Sequence, residues 1–136
     1  MTTNSQNGAA RLPGRVLVVD DSSLVRLYFR EALGRAGFAV DEAINGIEAM
    51  EKVLAGDIDL VIVDINMPRM DGVTFLRTLR RSSSAAAMLP ALVISTEAGE
   101  DDREQARAAG ANFYLVKPVS QEDVARYAAA LTGLPR

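Results

Sequence analysis

Three aspartates, two hydroxyls and one lysine sit where short apolar runs end. VLVV leads into Asp20-Asp21, LVIV into Asp64, ALVI into Ser95-Thr96, and FYLV into Lys117-Pro118. Each has an ordinary explanation when taken alone: Asp21 or Ser22 would cap a helix, and Asp64 would be a loop acid. Gathered at one place, the acids need compensation, because like charges about 4 Å apart repel by about 4 kcal/mol at an effective dielectric near 20. The compensating cation is either Lys117 or a divalent metal. A hard, all-oxygen set suits Mg²⁺, which takes one or two carboxylates together with water and phosphate oxygens. A carboxylate flanked by Mg²⁺ and an ammonium is equipped to attack phosphorus, with the Thr96 hydroxyl donating to a phosphoryl oxygen.

The rest of the composition narrows the chemistry. The chain has no Cys and no His, which excludes thiol catalysis, a Ser/His/Asp triad, a zinc site of the usual ligands and a phosphohistidine donor. Fifteen Lys and Arg against 18 Asp and Glu give a net charge of −3. The basic residues are scattered, so no nucleic-acid surface is expected. No apolar run approaches the roughly 18 residues of a membrane span, and the polar start MTTNSQNGAARLPG lacks the features of a signal peptide. A cytoplasmic protein is expected, with residues 1–14 as a flexible tail and 15–136 as one domain.

The elements that must deliver these groups follow from periodicity. The four β-branched runs Val16 to Val19, Leu60 to Val63, Ala91 to Ile94 and Phe113 to Val116 read as buried strands, and Ala39 to Ala43 as a weaker one. Between them apolar residues recur every three or four positions. Inward faces are expected at Val25, Tyr28, Phe29, Ala32 and Ala36, then at Ile47, Met50, Val53 and Leu54. Val73, Leu76 and Leu79, then Ala106 and Ala109, then Val124, Ala128 and Leu131 continue the series. RRSSSAAA, Arg80 to Ala87, reads as a helix end and a tolerant surface loop.

Strands alternating with helices demand right-handed crossovers, hence an α/β doubly wound parallel sheet of five strands. Asp41 and Glu42 interrupt the second strand, which places it at an edge and predicts the order 2-1-3-4-5, the flavodoxin-like arrangement. Ligands in such sheets bind beyond the carboxyl ends of the strands where the order reverses, here between strands one and three.

VLVVDDS, DINMPRMDG, Thr96 and YLVKP, in this order and at βα spacing, resemble the receiver domain of two-component response regulators from about Arg15 to Leu131. The resemblance implies that Asp64 accepts a phosphoryl group from a phosphohistidine on a sensor histidine kinase. Asp21, Asp64 and the backbone carbonyl of Asn66 would bind Mg²⁺ directly, and Asp20 through a metal-bound water. Lys117 would pair with Asp64 in the empty site and with a phosphoryl oxygen in the filled one, beside a cis Lys117-Pro118 bond. Pro68 and Gly72 would shape the loop after Asp64. Thr96 would move toward the phosphoryl group and Tyr114 would rotate into the space, reshaping the face of helix four, strand five and helix five, with Phe113 as packing. Arg26 and Arg30 on helix one would face the kinase.

Further expectations concern output and lifetime. The chain ends at Arg136 just after helix five, so output is expected by binding another protein, as a monomer. NMPRMDG with LPALVISTEA most resembles the CheY-like chemotaxis regulators, which bind the flagellar motor switch; a phosphorelay intermediate or a cell-cycle regulator is the alternative. Asn66, Glu97 and Ala98 border the path of hydrolytic water, and an anionic Glu97 beside an apolar Ala98 predicts slower self-dephosphorylation than in receivers with a small residue at 97 and a polar one at 98; a phosphatase is a further candidate partner. Two other classes remain. A haloacid-dehalogenase-like phosphohydrolase would want an acid two residues after its nucleophile, where Asn66 or Ser22 stands. A phosphorylation-independent adaptor would not need the intact acid, hydroxyl and lysine set. No catalysis is expected beyond the chain's own phosphorylation and dephosphorylation.

Overall fold

Strand alternation decides how the core is divided. The structure, a computed structural model, describes residues 14–133. The tail expected over residues 1–14 lies, except for Gly14, outside the described residues. The strands are β1 (Arg15–Val19), β2 (Ala39–Ala43), β3 (Leu60–Val63), β4 (Ala91–Ser95) and β5 (Phe113–Val116). The helices are α1 (Ser23–Arg35), α2 (Gly46–Leu54), α3 (Gly72–Arg80), α4 (Glu100–Ala109) and α5 (Gln121–Thr132), with a 3₁₀ turn at Ala85–Met88. All four strand pairings are parallel and the order is 2-1-3-4-5, as periodicity and the acids of β2 predict.

Each central strand sends successive side chains to opposite faces. Leu17, Val19, Val61, Val63 and Val93 pack with Phe75, Leu76, Leu79 and Ala106 from α3 and α4. Val16, Val18, Ile62, Leu92 and Ile94 pack with Phe29, Leu33, Val124 and Ala128 from α1 and α5. Phe75 is fully buried, which is worth about 2–3 kcal/mol relative to leaving it in water. Among the described residues no helix is long and apolar enough to cross a membrane.

Two local expectations are corrected. Ile47 and Leu54 of α2 point outward, 40% and 55% exposed, because the small residues Gly46 and Ala49, with Val53, are the ones that approach the sheet. Nor is Arg80 part of a tolerant loop. Its guanidinium donates to the carbonyls of Ala87 (3.0 Å), Leu89 (2.6 Å) and Gly110 (2.7 Å), stitching the end of α3 to the entry of β4 and to the α4–β5 turn. Burial lowers its pKa from the ordinary arginine value.

Candidate functional site

The first turn of α1 leaves Asp20 and Asp21 free for other work. Ser22, not Asp21, caps the helix, its hydroxyl accepting from the Val25 amide at 3.3 Å. Asp20 Oδ1 accepts from the Ser22 amide at 2.9 Å, which turns its carboxylate back over the end of β1. From β3, the Asp64 amide donates to the Val19 carbonyl at 3.0 Å, so Asp64 leaves the sheet directly beside Asp20. Asp20, Asp21 and Asp64 each offer a carboxylate oxygen within 4.8 Å of the other two. Asp20 is 2% and Asp64 9% exposed, whereas Asp21 is open to solvent.

The loop after Asp64 is held by close backbone approaches. A Cβ on Gly72 would lie 2.2 Å from the Asp64 carbonyl oxygen, and the Gly72 amide donates to the Ile65 carbonyl at 2.9 Å. The Gly46 amide donates to the Met70 carbonyl at 2.9 Å, tying the same loop to the start of α2. Asp71 caps α3 through the Thr74 amide at 2.8 Å. Gly72 therefore has the shaping role the sequence predicts, while Arg69, at φ 69°, takes the left-handed conformation in the turn after Pro68.

Lys117 enters from β5, its amide donating to the Ser95 carbonyl at 2.8 Å, and its peptide bond to Pro118 is cis. Its ammonium donates to Asp20 Oδ2 at 3.1 Å. Pairing with Asp64 was the expectation, and the structure corrects it: Asp20 is the more deeply buried acid, and its inward-turned carboxylate takes the hydrogen bond. Asp64 feels Lys117 only through space. Burial pushes the Asp64 carboxyl above the usual carboxylate range, the ammonium of Lys117 opposes this, the charge of Asp20 adds to it, and the amides of Asn66 and Ile65 oppose it.

The hydroxyl expected at the end of β4 was Thr96. The structure places Thr96 in solvent beyond the strand and buries Ser95 completely. Ser95 continues the face of Ala91 and Val93, and its hydroxyl lies beside Tyr114 and accepts from the Glu97 amide at 3.2 Å. Alternation along ALVIS, read against the neighbouring strand, is the signal that distinguishes the two adjacent hydroxyls.

Glu97 gathers several of the predicted residues. Its Oε2 accepts from the Asn66 carboxamide at 3.2 Å, bridging the loops after β3 and β4. Its carbonyl accepts from the Tyr114 hydroxyl at 2.6 Å. The Tyr114 ring already packs against the buried cluster, with the Arg103 guanidinium 5.2 Å from its centroid. Burial raises the Tyr114 phenol above its ordinary pKa, the Ser95 hydroxyl opposing. Ala98 is exposed and adds no polar group. Phe113 is half exposed, meeting the Tyr127 ring edge-on at 5.5 Å.

Of the two arginines expected to face the kinase, Arg26 is largely covered, 14% exposed, while Arg30 is 46% exposed. Arg26 donates to Glu42 Oε1 and to the Asp20 carbonyl, both at 2.8 Å, and Arg30 pairs with Glu42 Oε2 at 2.6 Å. α1 also exposes apolar groups: Leu24 is 77% exposed and borders an apolar cleft of about 370 Å³ with Val25, Tyr28, Phe29, Lys117, Pro118 and Val119.

A cluster of three acids, one lysine and a buried hydroxyl at the carboxyl mouth of a 2-1-3-4-5 sheet can be compared with known proteins. Residues 16–129 match the response regulator receiver domain family. The transcriptional regulatory protein PrrA of Mycobacterium leprae is 42% identical over 118 residues, 86% of this chain and 49% of that protein. ResD of Bacillus subtilis, also a transcriptional regulatory protein, is 36% identical over 110 residues, 81% of this chain and 44% of that protein. The chain thus spans about half the length of these curated relatives. Among solved structures, the chemotaxis response regulator CheY4 of Vibrio cholerae superposes with a TM-score of 0.80 at 33% identity, covering 87% of this chain and 98% of that one. A response regulator from Chloroflexus aurantiacus superposes with a TM-score of 0.84 at 27% identity, covering 89% and 98%. The chain belongs to the response regulator receiver domain family of two-component systems.

Proposed function

We propose that this chain is a phosphoryl-accepting switch in which Asp64 is the acceptor and a sensor histidine kinase the donor. An Asp64 carboxylate oxygen attacks the phosphorus of a phosphohistidine. The P–N bond breaks with its electron pair left on the imidazole nitrogen, which takes up a proton, and an acyl phosphate remains on Asp64. The observation that carries this reading is the meeting of the Asp20, Asp21 and Asp64 oxygens within 4.8 Å beside the Lys117 ammonium.

The donor set fits Mg²⁺, being all oxygen and mostly buried. Asp21, Asp64 and the Asn66 carbonyl would hold the ion directly and Asp20 through water. When bound, it supplies positive charge against the phosphoryl oxygens. The chain's own residues do the rest. Lys117 is released from Asp20 toward a phosphoryl oxygen. Ser95, which we put in the role first given to Thr96, turns its buried hydroxyl to another, and the Ser95–Glu97–Tyr114 contacts carry the change to the α4–β5–α5 face. Glu97, tied to Asn66, screens the path of hydrolytic water, so Glu97→Ala speeds decay of the acyl phosphate several-fold.

Output is read as protein binding through the α4–β5–α5 face, without nucleic acid or membrane contact by this domain, in the cytoplasm and as a monomer. Likeness to CheY4 supports chemotaxis and a motor-switch partner. A second reading, control of transcription, is supported by the 42% identity to PrrA. The acceptor is tested with acetyl phosphate and Mg²⁺, followed by intact mass. One labile adduct of about 80 Da, lost in Asp64→Asn, is expected. An unlabelled protein would point to an adaptor, and turnover of phosphomonoesters to a hydrolase. Activation of a motor-switch peptide against activation of a promoter by the labelled protein separates the two outputs.

A further inference from the structure

The segment that carries Lys117 leaves the sheet at that residue. Lys117 makes the last backbone bond to β4, at 2.8 Å to Ser95, and Ser120 caps α5 through the Asp123 amide at 3.1 Å. What holds the short stretch between them is α1. The Tyr28 hydroxyl donates to the Val119 carbonyl at 2.6 Å, and the Gln121 carboxamide donates back to the Tyr28 carbonyl at 3.1 Å. Arg35, about two turns further along the same face, also donates to the Gln121 side chain. The phenol itself is steadied by an edge contact with Phe29, centroids 5.7 Å apart. Among the described residues this gives a latch of three bonds between α1 and residues 119–121, two of them opposed at Tyr28, just beyond the lysine of the site.

We infer that Tyr28 is a positioning residue for phosphoryl acceptance, acting through Lys117: its hydroxyl holds the Val119 carbonyl and thereby the aim of the ammonium over the acidic cluster. The inference rests on the receiver reading of Asp64 and Lys117. A four-carbon side chain anchored on a loop aims only as well as its backbone is fixed, and misplacement by about an ångström at a reacting centre is costly in rate. The Tyr28 hydroxyl is the part of α1 that fixes that backbone, and Phe at this position keeps the ring, its contact with Phe29 and its wall of the apolar cleft.

The test compares the full chain, Tyr28→Phe, Lys117→Ala and the double variant. The labelling rate with acetyl phosphate and Mg²⁺ is measured by intact mass. In parallel, the lysine side-chain carbon signals are followed by NMR at fixed pH in the unlabelled proteins. The chain has two lysines, Lys52 and Lys117, so Lys52 is the internal reference. Tyr28→Phe is expected to slow labelling by roughly three- to tenfold, the effect of one lost hydrogen bond. The same change should have no effect in the Lys117→Ala background, and the Lys117 signal should move while that of Lys52 does not. Equal slowing in both backgrounds, no slowing, or an unmoved Lys117 signal overturns the inference. A chain that never labels while its Lys117 signal moves would overturn the acceptor reading and leave the latch standing.

Discussion

The molecule treats crowded acid in two opposite ways. At the outer edge, Glu42 of β2 meets Arg26 at 2.8 Å and Arg30 at 2.6 Å, and its neighbour Asp41 meets Arg15 at 3.0 Å. The Arg26 hydrogen bond holds the Glu42 carboxyl below the usual range; burial opposes it, and Arg30 reinforces it. At the mouth of the sheet, three carboxylates share one lysine, that lysine bonds Asp20, and the Asp64 carboxyl is raised. Where charge serves the fold, arginines satisfy it within the chain. At the mouth of the sheet the chain's own groups leave it less than balanced, which is what the proposed cation and phosphoryl group would use.

Several measurements would sharpen or break this contrast. The largest expected effect is that of the ion: at a hundredfold excess over its Kd, Mg²⁺ should raise unfolding free energy by about 2.7 kcal/mol, and removing it with a chelator should reverse the gain. Urea unfolding of Asp21→Asn, with and without Mg²⁺, should show most of that gain gone; equal gain in both proteins would break the comparison. Next comes the β2 edge. Arg26→Met strips hydrogen bonds from Glu42 and from the Asp20 carbonyl on a side chain only 14% exposed, so a loss of about 2 kcal/mol is expected in the same assay.

Smaller and opposite in sign is Asp64→Asn, which without Mg²⁺ should stabilise the fold by about 1 kcal/mol at neutral pH, since it removes a buried charge that nothing in the chain bonds fully. The pH dependences should also oppose one another. Glu42, depressed in the folded state, contributes stability above its unfolded pKa that is lost as pH falls through the folded value. Asp64, raised in the folded state, makes the fold less stable as pH rises from its unfolded pKa through the folded one. Stability curves of Glu42→Gln and Asp64→Asn against pH, metal-free, read the two slopes separately. The smallest effect distinguishes neighbouring hydroxyls: Ser95→Ala should slow acetyl phosphate labelling several-fold, and Thr96→Ala should leave its rate within twofold, roughly the scatter of surface substitutions. Slowing in Thr96→Ala with Ser95→Ala unaffected would return the role to Thr96.

Much of this contrast was legible before any coordinates. Apolar runs ending in Asp20, Asp64 and Lys117 located the mouth, and the acids interrupting β2 located the edge, because burial on both faces leaves parallel strands little tolerance for charge. What periodicity could not supply was phase and pairing. Ser95 and Thr96 are adjacent hydroxyls, and only the register opposite Tyr114 and Val116 shows which one stays inside. Lys117 was bound to reach the cluster, but whether it met Asp20 or Asp64 depended on how the Ser22 amide turned Asp20. Arg80 was hidden by its company, since RRSSSAAA reads as surface and its three carbonyl partners come from distant turns. In α2, nine residues were too few for the pattern to show that Gly46 and Ala49, rather than Ile47, face the sheet.

One missing carbon decides where Asp64 stands. Gly72 lies so close to the Asp64 carbonyl that a Cβ there would meet its oxygen at 2.2 Å. Any side chain there would force this backbone apart, and with it the end of β3 that carries Asp64 toward Asp20 and Asp21. The spacing of the acidic cluster therefore depends on a residue with no side chain, one that contributes no carboxylate to it.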